Sequence, residues 1–78
     1  MKIKVYVKLK ETVLDPQGEA ILQSAKRNGY DFIDSVRVGK IFELEVSKTE
    51  NLNEKIDEIS KKMLANPIIE EYSIEVGE

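Results

Sequence analysis

The 78-residue sequence predicts an α+β protein, a single two-layer βαββαβ domain over residues 1–78 with two helices on one face of a mainly antiparallel sheet. Three observations point there. Strand-like alternation opens and closes the chain, two helical stripes with start and stop signals lie between them, and a second strand-like stretch separates the helices. No repeat, linker or low-complexity tract divides the sequence.

The opening strand is the clearest. Ile3, Val5, Val7 and Leu9 point one way, and Lys2, Lys4, Tyr6, Lys8 and Lys10 the other, so one face is buried and one solvated. The first helix starts at Asp15-Pro16-Gln17-Gly18. Asp is a favoured N-cap and Pro is preorganised for the first helical position. The helix runs to about Asn28, carries Ile21, Leu22 and Ala25 on one side, and closes at Gly29 in the left-handed region. Its short stripe predicts that it depends on the sheet for stability.

Residues 33–47 have strand character throughout, with Val36, Val38, Phe42, Leu44 and Val46 on one parity. A hairpin turning through Gly39-Lys40-Ile41 pairs Val38 with Phe42 and Val36 with Leu44, keeping all five on one face. One long strand bent at Gly39 satisfies the same parity; the hairpin is the preferred reading. The second helix carries Leu52, Ile56, Ile59 and Met63 as one apolar stripe, with Met63 expected in the core. Asn51 with Glu54 resembles a capping box, Asp57/Lys61 and Glu58/Lys62 are favourable i,i+4 pairs, and Pro67 ends the element. In the last strand Tyr72, Ile74 and Val76 alternate with Glu71, Ser73 and Glu75.

Composition narrows the function. The sequence has no Cys, no His and no Trp, which removes thiolate nucleophiles, Cys-based metal sites and the usual general base. So short a chain leaves little to wall off a pocket, and a core this small favours oligomerisation or a partner. No apolar run approaches the roughly 20 residues a bilayer requires, and the N-terminus does not read as a signal peptide, so the expected location is cytoplasmic. The net charge of -3 conceals two unlike halves: residues 1–40 hold 8 basic and 5 acidic side chains, residues 41–78 hold 4 and 10. Tyr6 among lysines resembles a base-stacking sheet, but Glu71 and Glu75 on the neighbouring last strand are expected to neutralise that stripe, arguing against nucleic acid. Asp15, Glu19, Asp31 and Asp34 lack metal-ligand spacing, and Gly39-Lys40 lacks the rest of a phosphate loop.

Three segments go further: Val7 to Gly18, with Leu14-Asp15-Pro16-Gln17-Gly18; Val36-Arg37-Val38-Gly39-Lys40; and Met63-Leu64-Ala65-Asn66-Pro67 with Ile69-Glu70 and Tyr72. In order and spacing they resemble the PurS family, the small subunit of phosphoribosylformylglycinamidine synthase. The resemblance implies a role in de novo purine synthesis, within a complex that makes formylglycinamidine ribonucleotide from formylglycinamide ribonucleotide, glutamine, ATP and water. It implies a non-catalytic, homodimeric or higher-order adaptor between a synthetase and a glutaminase subunit, supporting ammonia transfer. ATP and Mg then belong to the synthetase, and this chain binds no cofactor or metal. The chain is thus part of a carbon–nitrogen ligase without an active site of its own. Arg37, Lys40, Asp15 and Gln17, polar residues of the matched segments, are the candidate partner contacts. An ACT-like domain sensing a small molecule is the alternative, because such domains share the βαββαβ order.

Overall fold

The computed structural model describes residues 1–77. Strand β1 (Lys2–Leu9) leads to helix α1 (Pro16–Arg27), then strand β2 (Gly39–Glu45), helix α2 (Leu52–Ile59) and strand β3 (Glu70–Val76). The sheet has the order β2-β1-β3, and both pairings are antiparallel. The α+β class and the antiparallel sheet are as the sequence predicts, with three strands among the described residues in place of four.

β1 is central because its apolar parity is complete. Ile3, Val5 and Val7 are almost wholly buried, and Ile56 and Ala65 close over them. Phe42, Leu44, Tyr72 and Ile74 from the outer strands pack around that cluster. On the opposite face the expected charge pairing is present: Lys8 lies 3.6 Å from Glu71, and the Tyr6 hydroxyl donates to Glu75 at 2.6 Å. The lysine row is therefore interleaved with acids, consistent with a solvated face.

The expected hairpin is not formed. Gly39 to Glu45 is one continuous strand whose partners all lie on β1, from Gly39↔Lys8 to Glu45↔Lys2. Residues 33–38 precede it without entering the sheet. A period of two records which face a residue takes but not whether the chain has reversed, so the long strand satisfies the same pattern. Gly39 serves close approach instead of a turn: a Cβ there would sit 2.8 Å from the Val7 carbonyl oxygen.

The helices divide the work unequally. α2 covers the sheet, and the Tyr72 hydroxyl donates to Asp57, tying β3 to it. α1 contributes nothing to the core cluster, contrary to the expectation that both helices lie on the sheet. The protein is elongated, 51 × 28 × 14 Å with a radius of gyration of 16.0 Å, against about 11–12 Å for a compact chain of this length. α1 and the returning segment form an arm. Asp15 caps α1 and Pro16 opens it as expected, and Gly29 adopts φ 87° beyond its C-terminus. The aromatics Tyr30 and Phe32 meet edge-to-face at 6.2 Å and stay exposed.

Two details of α2 also differ. Asn51 takes a left-handed conformation and its side chain makes no cap bond, so the capping box is absent. The helix then widens into a π turn over Ser60–Leu64. The Ser60 hydroxyl donates to the Ile56 carbonyl at 2.8 Å, which the Ser60 N–H also reaches, and Ala65 N–H reaches back to Ser60 O at 2.9 Å. The extra residue shifts the inward stripe to buried Ile56 and Ser60 and half-buried Leu64, and leaves Met63 76% exposed. The Lys61–Asp57 and Lys62–Glu58 pairs form as expected, at 3.1 and 2.6 Å.

Candidate functional site

The chain crosses the neck of the arm twice, leaving β1 after Leu9 and returning to β2 at Gly39, and polar contacts tie the two crossings together. Asp15 is only 6% exposed. Its Oδ1 accepts the Gly18 N–H at 2.9 Å, as an N-cap should, and its Oδ2 accepts the Val38 N–H from the returning crossing at 2.7 Å. The Val38 amide, then the Gly18 amide, hold the Asp15 carboxyl below the usual carboxylate range, and the Arg37 guanidinium adds to this. Arg37 works in the opposite direction. One guanidinium nitrogen donates to the carbonyls of Lys10 at 2.9 Å and Val13 at 3.1 Å, with Leu9 at 3.5 Å.

Gly18 completes the clasp. A Cβ placed there would lie 2.2 Å from the Val36 carbonyl oxygen, so only glycine lets the helix start this close to the returning chain. All four sequence-predicted residues gather around this neck. Asp15, Gln17 and Lys40 line an open groove of about 440 Å³ together with Glu70, and Arg37 and Lys40 line an adjoining one of about 700 Å³ with Tyr6 and Tyr72. The four differ in availability. Both Asp15 oxygens are engaged by backbone, Arg37 is exposed with one guanidinium nitrogen held by backbone carbonyls, Gln17 is exposed, and Lys40 lies 4.0 Å from Glu70.

Residues 2–78 match the family described as PurS: phosphoribosylformylglycinamidine (FGAM) synthase. The chain belongs to the PurS family. PurS proteins are subunits of FGAM synthase, a ligase of purine biosynthesis. The FGAM synthase subunit PurS of Bacillus subtilis (strain 168) is 45% identical over 78 residues, covering 99% of this chain and 93% of that one. A solved structure of B. subtilis PurS superposes with a TM-score of 0.92 at 45% identity, over 99% of this chain and 98% of that one. PurS of Methanocaldococcus jannaschii, described as one of the subunits of formylglycinamide ribonucleotide amidotransferase in the purine biosynthetic pathway, gives 0.88 at 33% identity over 99% and 95%. A chain in the structure of PurLQS from Thermotoga maritima gives 0.81 at 28% identity over 95% and 93%.

For a PurS chain the neck is a shaping device more than a reactive one. Both oxygens of the Asp15 carboxylate are taken by amide donors, which leaves it little with which to move protons, and one nitrogen of the exposed Arg37 guanidinium is held by carbonyls. What they fix is the relative position of Gln17, Lys40 and the arm. Sequence reasoning missed the part played by Gly18. Its signal was available: a glycine in the first turn of a helix costs about 1 kcal/mol relative to alanine, which calls for a packing reason.

Proposed function

We propose that this chain is a non-catalytic adaptor subunit of FGAM synthase, holding a synthetase and a glutaminase subunit together so that ammonia passes between them. The observation that carries the reading is the full-length PurS match, taken with the likeness to a chain of the Thermotoga maritima PurLQS structure. The chemistry is compatible: the sequence offers neither His nor Cys, and its buried acid is spent on backbone. ATP and Mg are then used by the synthetase, this chain needs neither, and it works in the cytoplasm. No helix among the described residues is long and apolar enough to cross a membrane. Docking two active sites rigidly raises the effective concentration of one product at the next site. Gln17 and Lys40 are the side chains placed to meet those subunits, while Asp15 and Arg37 hold the surface that presents them.

Self-association belongs to the same proposal. Phe42 and Leu44 of β2, and Val46 just past its end, are only half-buried, because α1 does not lie over them. Residues 34–37 of the arm run back unpaired, with no hydrogen bond to their backbone N–H groups among the described residues. A second copy carries the elements the sequence pattern assigns to that face, so reciprocal docking of arms covers both open flanks and satisfies both backbones.

The test is reconstitution of the synthetase and glutaminase with and without this chain. Glutamine-dependent turnover is expected to require it, and turnover on added ammonium to depend on it much less. Full glutamine-dependent turnover in its absence would sink the proposal.

A further inference from the structure

We propose that the Asp15–Arg37 clasp is a conformational lock, which holds α1 away from its own sheet and thereby keeps the protein competent to associate. The inference rests on the self-association proposed above and adds what controls it. The ties are concentrated at the neck. Asp15 joins the first turn of α1 to Val38, Arg37 joins the returning chain to the carbonyls of Lys10 and Val13, and Gly18 lies against the Val36 carbonyl. Farther out, the bonds of the arm are local: Asn28 Nδ2 donates to Ser24 O, and the Tyr30 amide to Ala25 O. Beyond the neck, Leu22 is the one buried side chain of α1, so little besides the neck sets the direction of the arm.

That arrangement makes the direction switchable. The linker from Lys10 to Asp15 has six residues and one internal turn, Val13 N–H to Lys10 O at 2.9 Å. Released from Arg37, its carbonyls turn to water, and the linker gains the freedom to let α1 fold back over Phe42 and Leu44. The apolar stripe of Leu22 and Ala25 would then exchange its present cover, under which Leu22 is already buried, for the face to which the sequence pattern suits it. Arm-out and arm-in states bury the same kinds of surface, so a few directional hydrogen bonds suffice to choose between them.

The experiment compares the wild type with Asp15→Asn and Arg37→Gln, by sedimentation over a concentration series and by amide hydrogen exchange. If the clasp lets the arm-out population fall to about one-tenth, association weakens about tenfold. Amides of residues 10–38 should then exchange faster while those of Ile3, Val5 and Val7 keep their protection. The double variant should be no weaker than the worse single one, because both residues act on one device. Arg37→Lys, which keeps the charge but not the fork, should fall between wild type and Arg37→Gln. A wild type that is monomeric throughout overturns the self-association reading and this one together. An associating wild type whose variants associate equally well overturns this one alone. So does a loss of protection in β1 that matches the loss in the arm, since the neck would then be an ordinary part of one cooperative unit.

Discussion

The sheet half of this protein and its arm are held by opposite kinds of force. Around β1 the force is apolar burial: Ile3 and Val5 are 0% exposed and packed by neighbours from both outer strands and from α2. At the neck it is a set of directed hydrogen bonds, most of them accepted from backbone N–H by one carboxylate or donated to backbone carbonyls by one guanidinium. Burial is strong and indifferent to angle, so it makes a sheet stable without saying where a distant helix should point. Directed bonds contribute less net energy each, but they fix orientation. The fold combines both, a buried body around β1 and an arm directed by its neck. Substitutions in the two halves should therefore fail differently.

The largest effect is expected from the sheet half. Ile3→Ala removes a fully buried side chain and should cost about 2–5 kcal/mol, enough to lower the melting temperature by well over 10 °C in a domain this small. Arm and sheet should melt together, because the arm has no core of its own. A variant that kept its arm ordered while the sheet unfolded would break the comparison.

Gly18→Ala comes next. Its new methyl group falls 2.2 Å from the Val36 carbonyl oxygen, so backbone must move, at a cost of about 1–3 kcal/mol. Far-ultraviolet circular dichroism should change little. Hydrogen exchange should show residues 10–38 loosened and β1 still protected, the signature of damage confined to the neck.

A smaller, pH-dependent effect separates the two halves again. Donation from Tyr72, and then the Lys61 pair, hold Asp57 below its ordinary carboxylate range. A depressed carboxylate contributes stability that is fully present above its unfolded-state value and is lost as pH falls through the folded one. Tyr72→Phe removes the first cause. Urea midpoints taken from pH 7 downward should therefore decline less steeply in acid for the variant than for the wild type. Asp15 has the same sign but a different location, so acid should loosen the neck through Val38 and Gly18 without touching the Tyr72 contact. Parallel acid limbs for wild type and Tyr72→Phe would show that this bond does not anchor α2.

Local chemistry was legible in the sequence and long-range direction was not. Asp15, Pro16 and Gly29 announce the ends of α1 through rules that involve only neighbouring residues, and the structure follows them. The facing of Val5 and Leu44 follows from parity alone. The missing hairpin at Gly39 has the opposite character, since parity is blind to chain reversal and the decision lay with β1, which pairs β2 along its whole length. The arm escaped for a related reason. The stripe of α1 states that it wants apolar cover, not that the sheet supplies it: Leu22 is buried although no residue of α1 joins the sheet cluster. At the candidate site, the grouping of Asp15, Gln17, Arg37 and Lys40 was carried by the PurS resemblance. That Asp15 is a buried tie and Arg37 an exposed one, with Gln17 and Lys40 outward, depends on contacts between residues more than twenty apart, which no local pattern records.

The smallest predicted effect tests the one place where the sheet half itself defied its pattern. Counted at 3.6 residues per turn, Met63 belongs to the stripe of Leu52 and Ile56, and a buried methionine cut to a small residue costs about 2–5 kcal/mol. The π turn inserts one residue into that count, bringing Ser60 inward and turning Met63 out. Met63→Ser should therefore change stability by no more than about 0.5 kcal/mol, as surface substitutions do. Ser60→Ala removes the hydroxyl that shares the Ile56 carbonyl with the Ser60 N–H. If that hydroxyl causes the π turn, Ser60→Ala restores the ordinary count, Met63 swings inward, and Met63→Ser becomes costly in the Ser60→Ala background. Urea melts of the two single variants and the double measure that coupling directly. A coupling near zero would mean that the turn is imposed by the packing of Ala65 and Leu64 on the sheet, and that Ser60 only accommodates it.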